Sequence, residues 1–201
     1  MSNYFSFFPK QLYQTANSSF EIAKTITDVS RKSIIMEGIP SEDPKLLYSY
    51  KVREGERAED VSYFYYDSTD YVWLVWLSNN IIDPYSQWVK TFEELNTFVT
   101  VKYKPMAAAE GEFDVVAWTK NTQIDTNIKY MENVVTGQQT SKSSYDLMVA
   151  RDSSVIEGDW QAKRFFDYEF DVNESYREIR LINEGYKTIA EENLRRLMNG
   201  G

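Results

Sequence analysis

The sequence predicts an α+β protein with an N-terminal arm, a βααβ module, and a β-rich region ending in a C-terminal helix. Three observations carry that prediction. Between residues 46 and 105, two stretches of alternating apolar and polar residues bracket two apolar helical stretches. Beyond residue 105, short strand-like runs are separated by polar loops, and the last segment shows an apolar stripe at helical spacing. With 201 residues, 42% hydrophobic and 15% aromatic, the chain holds ample core material, and a chain of this size buries roughly 70% of its unfolded surface.

Residues 1–45 read as an arm with a short helix and strand. Tyr4, Phe5, Phe7 and Phe8 precede Pro9 and make a sticky segment that invites a covering surface. Ile22, Ile26 and Val29 recur at helical spacing, and 33–36 reads as a short strand. Gly38 to Pro44, with two prolines, marks a boundary.

In residues 46–105 the alternation from Leu47 to Arg53 sets Tyr48, Tyr50 and Val52 on one strand face. A turn at Glu54-Gly55-Glu56 leads into a helix over 57–66, where Ala58, Val61 and Tyr65 share a side. Asp67 or Ser68 can cap a second helix over 71–79. Asp83-Pro84-Tyr85 forces a non-helical exit, since a residue preceding proline is pushed out of helical dihedrals. A short helical stretch around 91–96 precedes the alternating run 99–103, expected to be the module's second strand and closed by Pro105.

In residues 106–201, the runs 113–118, 128–135 and 145–149 read as strands. The run 166–172 alternates acidic and apolar residues throughout and reads as a half-buried strand. Residues 177–182 form one more candidate strand. Tyr186, Ile189, Ala190, Leu194 and Leu197 then line a C-terminal helix, although Gly185 leaves open a longer helix starting nearer Glu174.

Composition excludes much chemistry. The chain has no cysteine and no histidine, which removes disulfides, thiolate nucleophiles, thiolate metal sites and histidine-based triads. Its 22 Lys+Arg against 31 Asp+Glu give a net charge of −9, the wrong sign for an electrostatic nucleic-acid binder. The start Met1-Ser2-Asn3-Tyr4-Phe5 lacks the pattern of a secretory signal. The apolar run 71–77 is far shorter than the ~20 residues of a bilayer span, so a soluble cytosolic product without membrane contact is expected.

Each remaining candidate has a plain alternative. Asp167, Glu169 and Asp171 offer carboxylates, but on one strand face they would stand ~7 Å apart and read better as a solvated row. Lys90, Lys120 and Lys163 sit among polar neighbours, and the scattered glycines form no phosphate-binding loop. No catalytic residue, metal ligand or cofactor site is expected. Among the aromatics, Tyr63, Tyr65, Tyr66, Trp73 and Trp76 read first as core. Tyr85 and Trp88, after the proline turn, serve equally well as contact or packing residues. Phe5, Phe7, Phe8, Tyr85, Trp88, Tyr186, Ile189, Leu194 and Leu197 are the candidate partner-binding residues.

Two resemblances sharpen this reading. Tyr50-Lys-Val-Arg-Glu-Gly-Glu-Arg-Ala-Glu-Asp-Val resembles the opening of a LysM module, and residues 66–80 resemble its second helix with a terminal Asn pair. Tyr66 with Tyr71-Val-Trp-Leu-Val-Trp-Leu-Ser-Asn-Asn-Ile-Ile-Asp-Pro-Tyr-Ser-Gln-Trp resembles the signature of the baseplate wedge protein 53 family of contractile-tailed, T-even-like phages. Tyr4-Phe-Ser-Phe-Phe-Pro, Asp167-Tyr-Glu and Asn173-Glu-Ser-Tyr-Arg-Glu-Ile-Arg-Leu-Ile are similar to the same family. The resemblance implies a structural virion protein, assembled in the host cytoplasm, that clamps adjacent wedges in a six-fold baseplate ring. Its implied partners are other wedge subunits and inner baseplate or sheath-initiating proteins. The alternative it implies is a peptidoglycan- or chitin-binding LysM module. A typical LysM has Gly after Tyr66, where this chain has Asp67-Ser68, and lacks the extended exit 83–88, which weighs against glycan binding.

Overall fold

The computed structural model describes residues 10–13, 24–27, 46–152 and 157–199. In chain order they form β1 (Lys10–Tyr13), β2 (Lys24–Thr27), β3 (Leu47–Lys51), α1 (Ala58–Tyr66) and α2 (Val72–Ser78). Next come α3 (Phe92–Ala109), α4 (Val115–Lys120), β4 (Ile128–Asn133), β5 (Gln139–Thr140) and α5 (Lys142–Arg151). The chain ends with β6 (Trp160–Arg164), α6 (Phe165–Ser175), β7 (Glu178–Ile182) and α7 (Lys187–Asn199). The architecture is α+β with a C-terminal helix. It divides into two compact units, residues 1–88 with 178–201 and residues 89–177.

In the first unit, β1 and β2 pair antiparallel. Lys24–Thr27 is therefore extended, contrary to the helical spacing of Ile22, Ile26 and Val29, and Thr25-Ile26-Thr27 is a β-branched run that suits a strand. The expected strand at 33–36 lies outside the described residues. β3 pairs antiparallel with β7, Tyr48 facing Leu181 and Tyr50 facing Ile179. Gly55, at φ +75°, makes the turn from β3 toward α1. Helix α1 starts with the Arg57 N–H donating to Asp60 Oδ2 at 2.9 Å. It buries Ala58, Val61, Ser62 and Tyr66, spaced to fall on one helical face. Ser68 caps the short 3-10 turn Thr69–Tyr71, and α2 then buries Trp73, Leu74 and Val75. Tyr66, 1% exposed, donates its hydroxyl to the Ile182 carbonyl at 2.9 Å and so ties α1 to the end of β7.

The strand–helix–helix–strand order is present, but its last strand is β7. The run 99–103 lies inside α3, as does Pro105. Leu95, Val99, Tyr103 and Ala107 recur every fourth residue and are all buried, whereas Val101 is 72% exposed. Only Val99 and Tyr103 of the apparent alternation belong to this helical stripe, and Val101 lies off it. Thr91 and Glu94 form a reciprocal capping box that starts this helix.

Three further expected strands fall on helices: 115–118 of the run 113–118 lie in α4, 145–149 lies in α5, and 166–172 lies in α6. For α6 the deciding feature is its buried set, Phe165, Phe166, Glu169 and Asn173, which is helical in spacing and includes an acid. The expected strands 128–135 and 177–182 are found as β4 and β7. In the second unit β4 is the central strand of an antiparallel sheet ordered β5-β4-β6. Its helical core joins Leu95, Val99, Tyr103 and Ala107 of α3 to Val115 and Trp118 of α4 and Phe165 and Phe166 of α6.

Candidate partner-binding surface

Among the described residues of the first unit, the most exposed apolar side chains sit on a loop locked by its own polar side chains. After α2, Asn80 takes a left-handed conformation at φ +54°, and the Ile81 N–H returns to the Trp76 carbonyl at 2.8 Å. Gln87 Oε1 accepts from the N–H groups of Ile82 and Asp83 at 2.7 and 2.9 Å. The Asp83 carboxylate accepts from the Tyr85 N–H at 3.1 Å and from Ser86 Oγ at 2.6 Å. With the polar groups turned inward on the loop, Ile82 is 90% and Tyr85 94% exposed.

Trp88 anchors the far end. Its indole Nε1 donates to the Glu56 carbonyl at 2.9 Å. The Glu56 carboxylate accepts from Tyr50 Oη at 2.7 Å and from the Arg53 N–H at 2.8 Å. The loop thus connects through Trp88 to the turn that follows β3. Burial first, and then the bond to Glu56, push the Tyr50 hydroxyl up to about 12.

The two equally weighted residues separate: Tyr85 points to solvent and Trp88 packs. Ile189 is 47% exposed, Tyr186 is half-buried and Leu194 is fully buried. Phe5, Phe7, Phe8 and the Leu197 side chain lie outside the described residues. The sequence reading missed Ile82 and Phe64, the latter 75% exposed beside Tyr63 at 55%. The signal was available, because four successive aromatics on a helix, Tyr63 to Tyr66, cannot all face one core. Tyr65 instead stacks on Tyr48 with ring centroids 5.7 Å apart.

The acidic row does not exist as a row. Glu169 is 5% exposed and accepts from Lys102 Nζ at 2.7 Å and Tyr103 Oη at 2.6 Å. Asp171 pairs with Lys163, and Asp167 lies exposed in the first turn of α6. Desolvation, followed by the Glu169 carboxylate, holds the Tyr103 hydroxyl well above the usual phenol range. Among the described residues no cluster of three acids converges as a metal site requires. None of their helices is long and apolar enough to cross a membrane.

No curated protein matches the chain. A family model described as base plate wedge protein 53 matches residues 5–190 and so takes in residues of both units. With nearly the whole length matched, this chain belongs to the base plate wedge protein 53 family and is a structural component of a phage tail baseplate wedge.

Proposed function

We propose that the chain is a non-enzymatic clamp that holds adjacent wedges together in a six-fold baseplate ring by binding several wedge subunits at once. Inner baseplate and sheath-initiating proteins complete its set of partners, and assembly takes place in the host cytoplasm before the tail is finished. The observation that carries this reading is the loop 80–88, which presents Ile82 and Tyr85 almost fully exposed on a hydrogen-bonded frame. A rigid aromatic anchor loses little conformational entropy on docking and is typical of binding hot spots. Tyr63 and Phe64 on α1 and Ile189 on α7 supply further exposed apolar contacts. The arm around Phe5, Phe7 and Phe8 and the Leu197 end of α7 complete the proposed contact set. Several modest contacts repeated around a ring reinforce one another through effective concentration.

The test is ring closure from purified wedges that lack this protein, followed by sedimentation. Wild-type protein is expected to convert single wedges into rings, and Ile82→Ser with Tyr85→Ser to leave them single. Normal closure by that variant overturns the reading. So does retention on chitin, competed by chito-oligosaccharides, in a protein that ignores the wedges.

A further inference from the structure

We propose that residues 110–114 form a second docking element, which inserts the Phe113 ring into an apolar pocket rimmed by Lys or Arg on another baseplate protein. Phe113 is 98% exposed, the most exposed large apolar side chain among the described residues. Both of its shoulders are fixed. On one side α3 ends with N–H groups of Glu110 and Glu112 donating to the Ala107 carbonyl at 3.0 and 2.9 Å. Gly111 between them takes φ +77°, which a side chain would strain. On the other side Asp114 caps α4, its Oδ1 accepting from the Ala117 N–H at 3.0 Å. Ala107, Val115 and Trp118 then enter the core. The chain therefore carries Ala107 and Val115 inward and leaves the intervening ring outside, on a short loop held at both ends.

The partner's chemistry follows from what surrounds that ring. Glu110, Glu112 and Asp114 are all exposed, and the loop contains no cation. Three carboxylates repel a nucleic-acid backbone and an anionic lipid surface. They also repel a second copy of this chain, whose net charge is −9. A basic-rimmed protein pocket satisfies both the ring and its acidic collar. The aromatic supplies affinity and the carboxylates supply steering.

This proposal rests on the wedge-binding reading, but it concerns different residues and a different readout. Equilibrium binding of the full chain to purified wedges lacking it is measured at low and high salt. Phe113→Ala is expected to weaken binding about tenfold or more, with an unchanged melting curve because the ring packs against nothing. Glu110→Gln with Glu112→Gln is expected to slow association and flatten the salt dependence while leaving most of the affinity at high salt. Wild-type affinity in Phe113→Ala, or an unaltered salt dependence in the double variant, overturns the proposal. Normal wedge affinity with failed ring closure in the Ile82 and Tyr85 variant would leave the proposal standing, because that defect belongs to the other loop.

Discussion

The side-chain amide of Asn79 exchanges two hydrogen bonds with the backbone of Arg180. Nδ2 donates to the Arg180 carbonyl at 2.9 Å, and Oδ1 accepts from the Arg180 N–H at 2.7 Å. Ser78 Oγ donates to the same carbonyl at 2.7 Å. Arg180 stands opposite Ser49 across β3 and β7. Since both its backbone groups turn toward Asn79, this is a non-hydrogen-bonded pair of the ladder. Asn79 thus stands where a third strand would bond, and it closes that edge of β7.

Replacing Asn79 by alanine should destabilise the first unit by about 0.5–1.5 kcal/mol per lost hydrogen bond, since water can reach the exposed backbone groups of Arg180 that it leaves. Asn79→Asp should fare no better. Its carboxylate can accept from Arg180 but cannot donate to the carbonyls of Arg180 and Val75, both of which Nδ2 serves in the wild type. Urea unfolding gives the magnitude, and hydrogen exchange at the Arg180 amide gives the location. An Arg180 amide that exchanges at the wild-type rate in both variants would refute the edge-closing role.

The second unit repeats the device. Asn173, 5% exposed, accepts from the Lys90 N–H at 2.8 Å and donates to the Lys90 carbonyl at 3.0 Å. This sets the residue before Thr91, the cap of α3, against α6. Asn173→Ala is expected to cost about 1–3 kcal/mol and to speed exchange in the first turns of α3. Protection in β3 and β7 should remain at its wild-type level. Equal loss of protection in β3 and β7 would contradict this assignment.

Alkaline pH should erode the frame behind the exposed loop. The Tyr50 hydroxyl is raised from 10.0 to about 12, first by burial and then by Glu56. The folded state therefore keeps a proton that the unfolded chain has already lost. This contribution is whole below about pH 10 and drains away as pH rises to about 12. Tyr66 and Tyr103, raised mainly by burial, add to the same slope. Urea midpoints measured across an alkaline series should fall less steeply in Tyr50→Phe than in wild type. Parallel curves would show that Tyr50 carries no such linkage.

The helices α1, α2 and α7 and the strands β3, β4 and β7 were legible because each has a local pattern: an apolar face, a cap, or a Gly turn. The helices over 99–103, 115–118, 145–149 and 166–172 were not. Short runs of valine, phenylalanine and tyrosine favour strands when seen alone, and tertiary packing decided otherwise. Glu169 shows why. An acid reads as a surface marker, yet this one is buried because Lys102 and Tyr103 bind it. The partner of β3 was illegible for another reason. Tyr48 pairs with Leu181 across the whole second unit, and no local signal announces that an asparagine will stand in for a backbone. The proline turn left Tyr85 open to contact or packing, and the structure leaves its side chain 94% exposed. The exposure of Phe113 was not legible, because the run that holds it was read as a strand.

Asp83 tests whether preorganisation of the loop matters. It is exposed, and within the loop its carboxylate accepts from the Tyr85 N–H and from Ser86 Oγ. Asp83→Ala should therefore change global stability by no more than about 0.5–1 kcal/mol. The loop would lose the acceptors that hold the Tyr85 N–H and Ser86 Oγ, so Ile82 and Tyr85 would have to be ordered at the moment of docking. The expected result is several-fold weaker wedge binding, seen mainly as slower net association, in a protein with an unchanged melting curve. Asp83→Asn, which keeps an acceptor for the Tyr85 N–H, should recover much of the loss. If Asp83→Ala binds wedges as tightly as the wild type, the frame has no role in binding and the two side chains act without it.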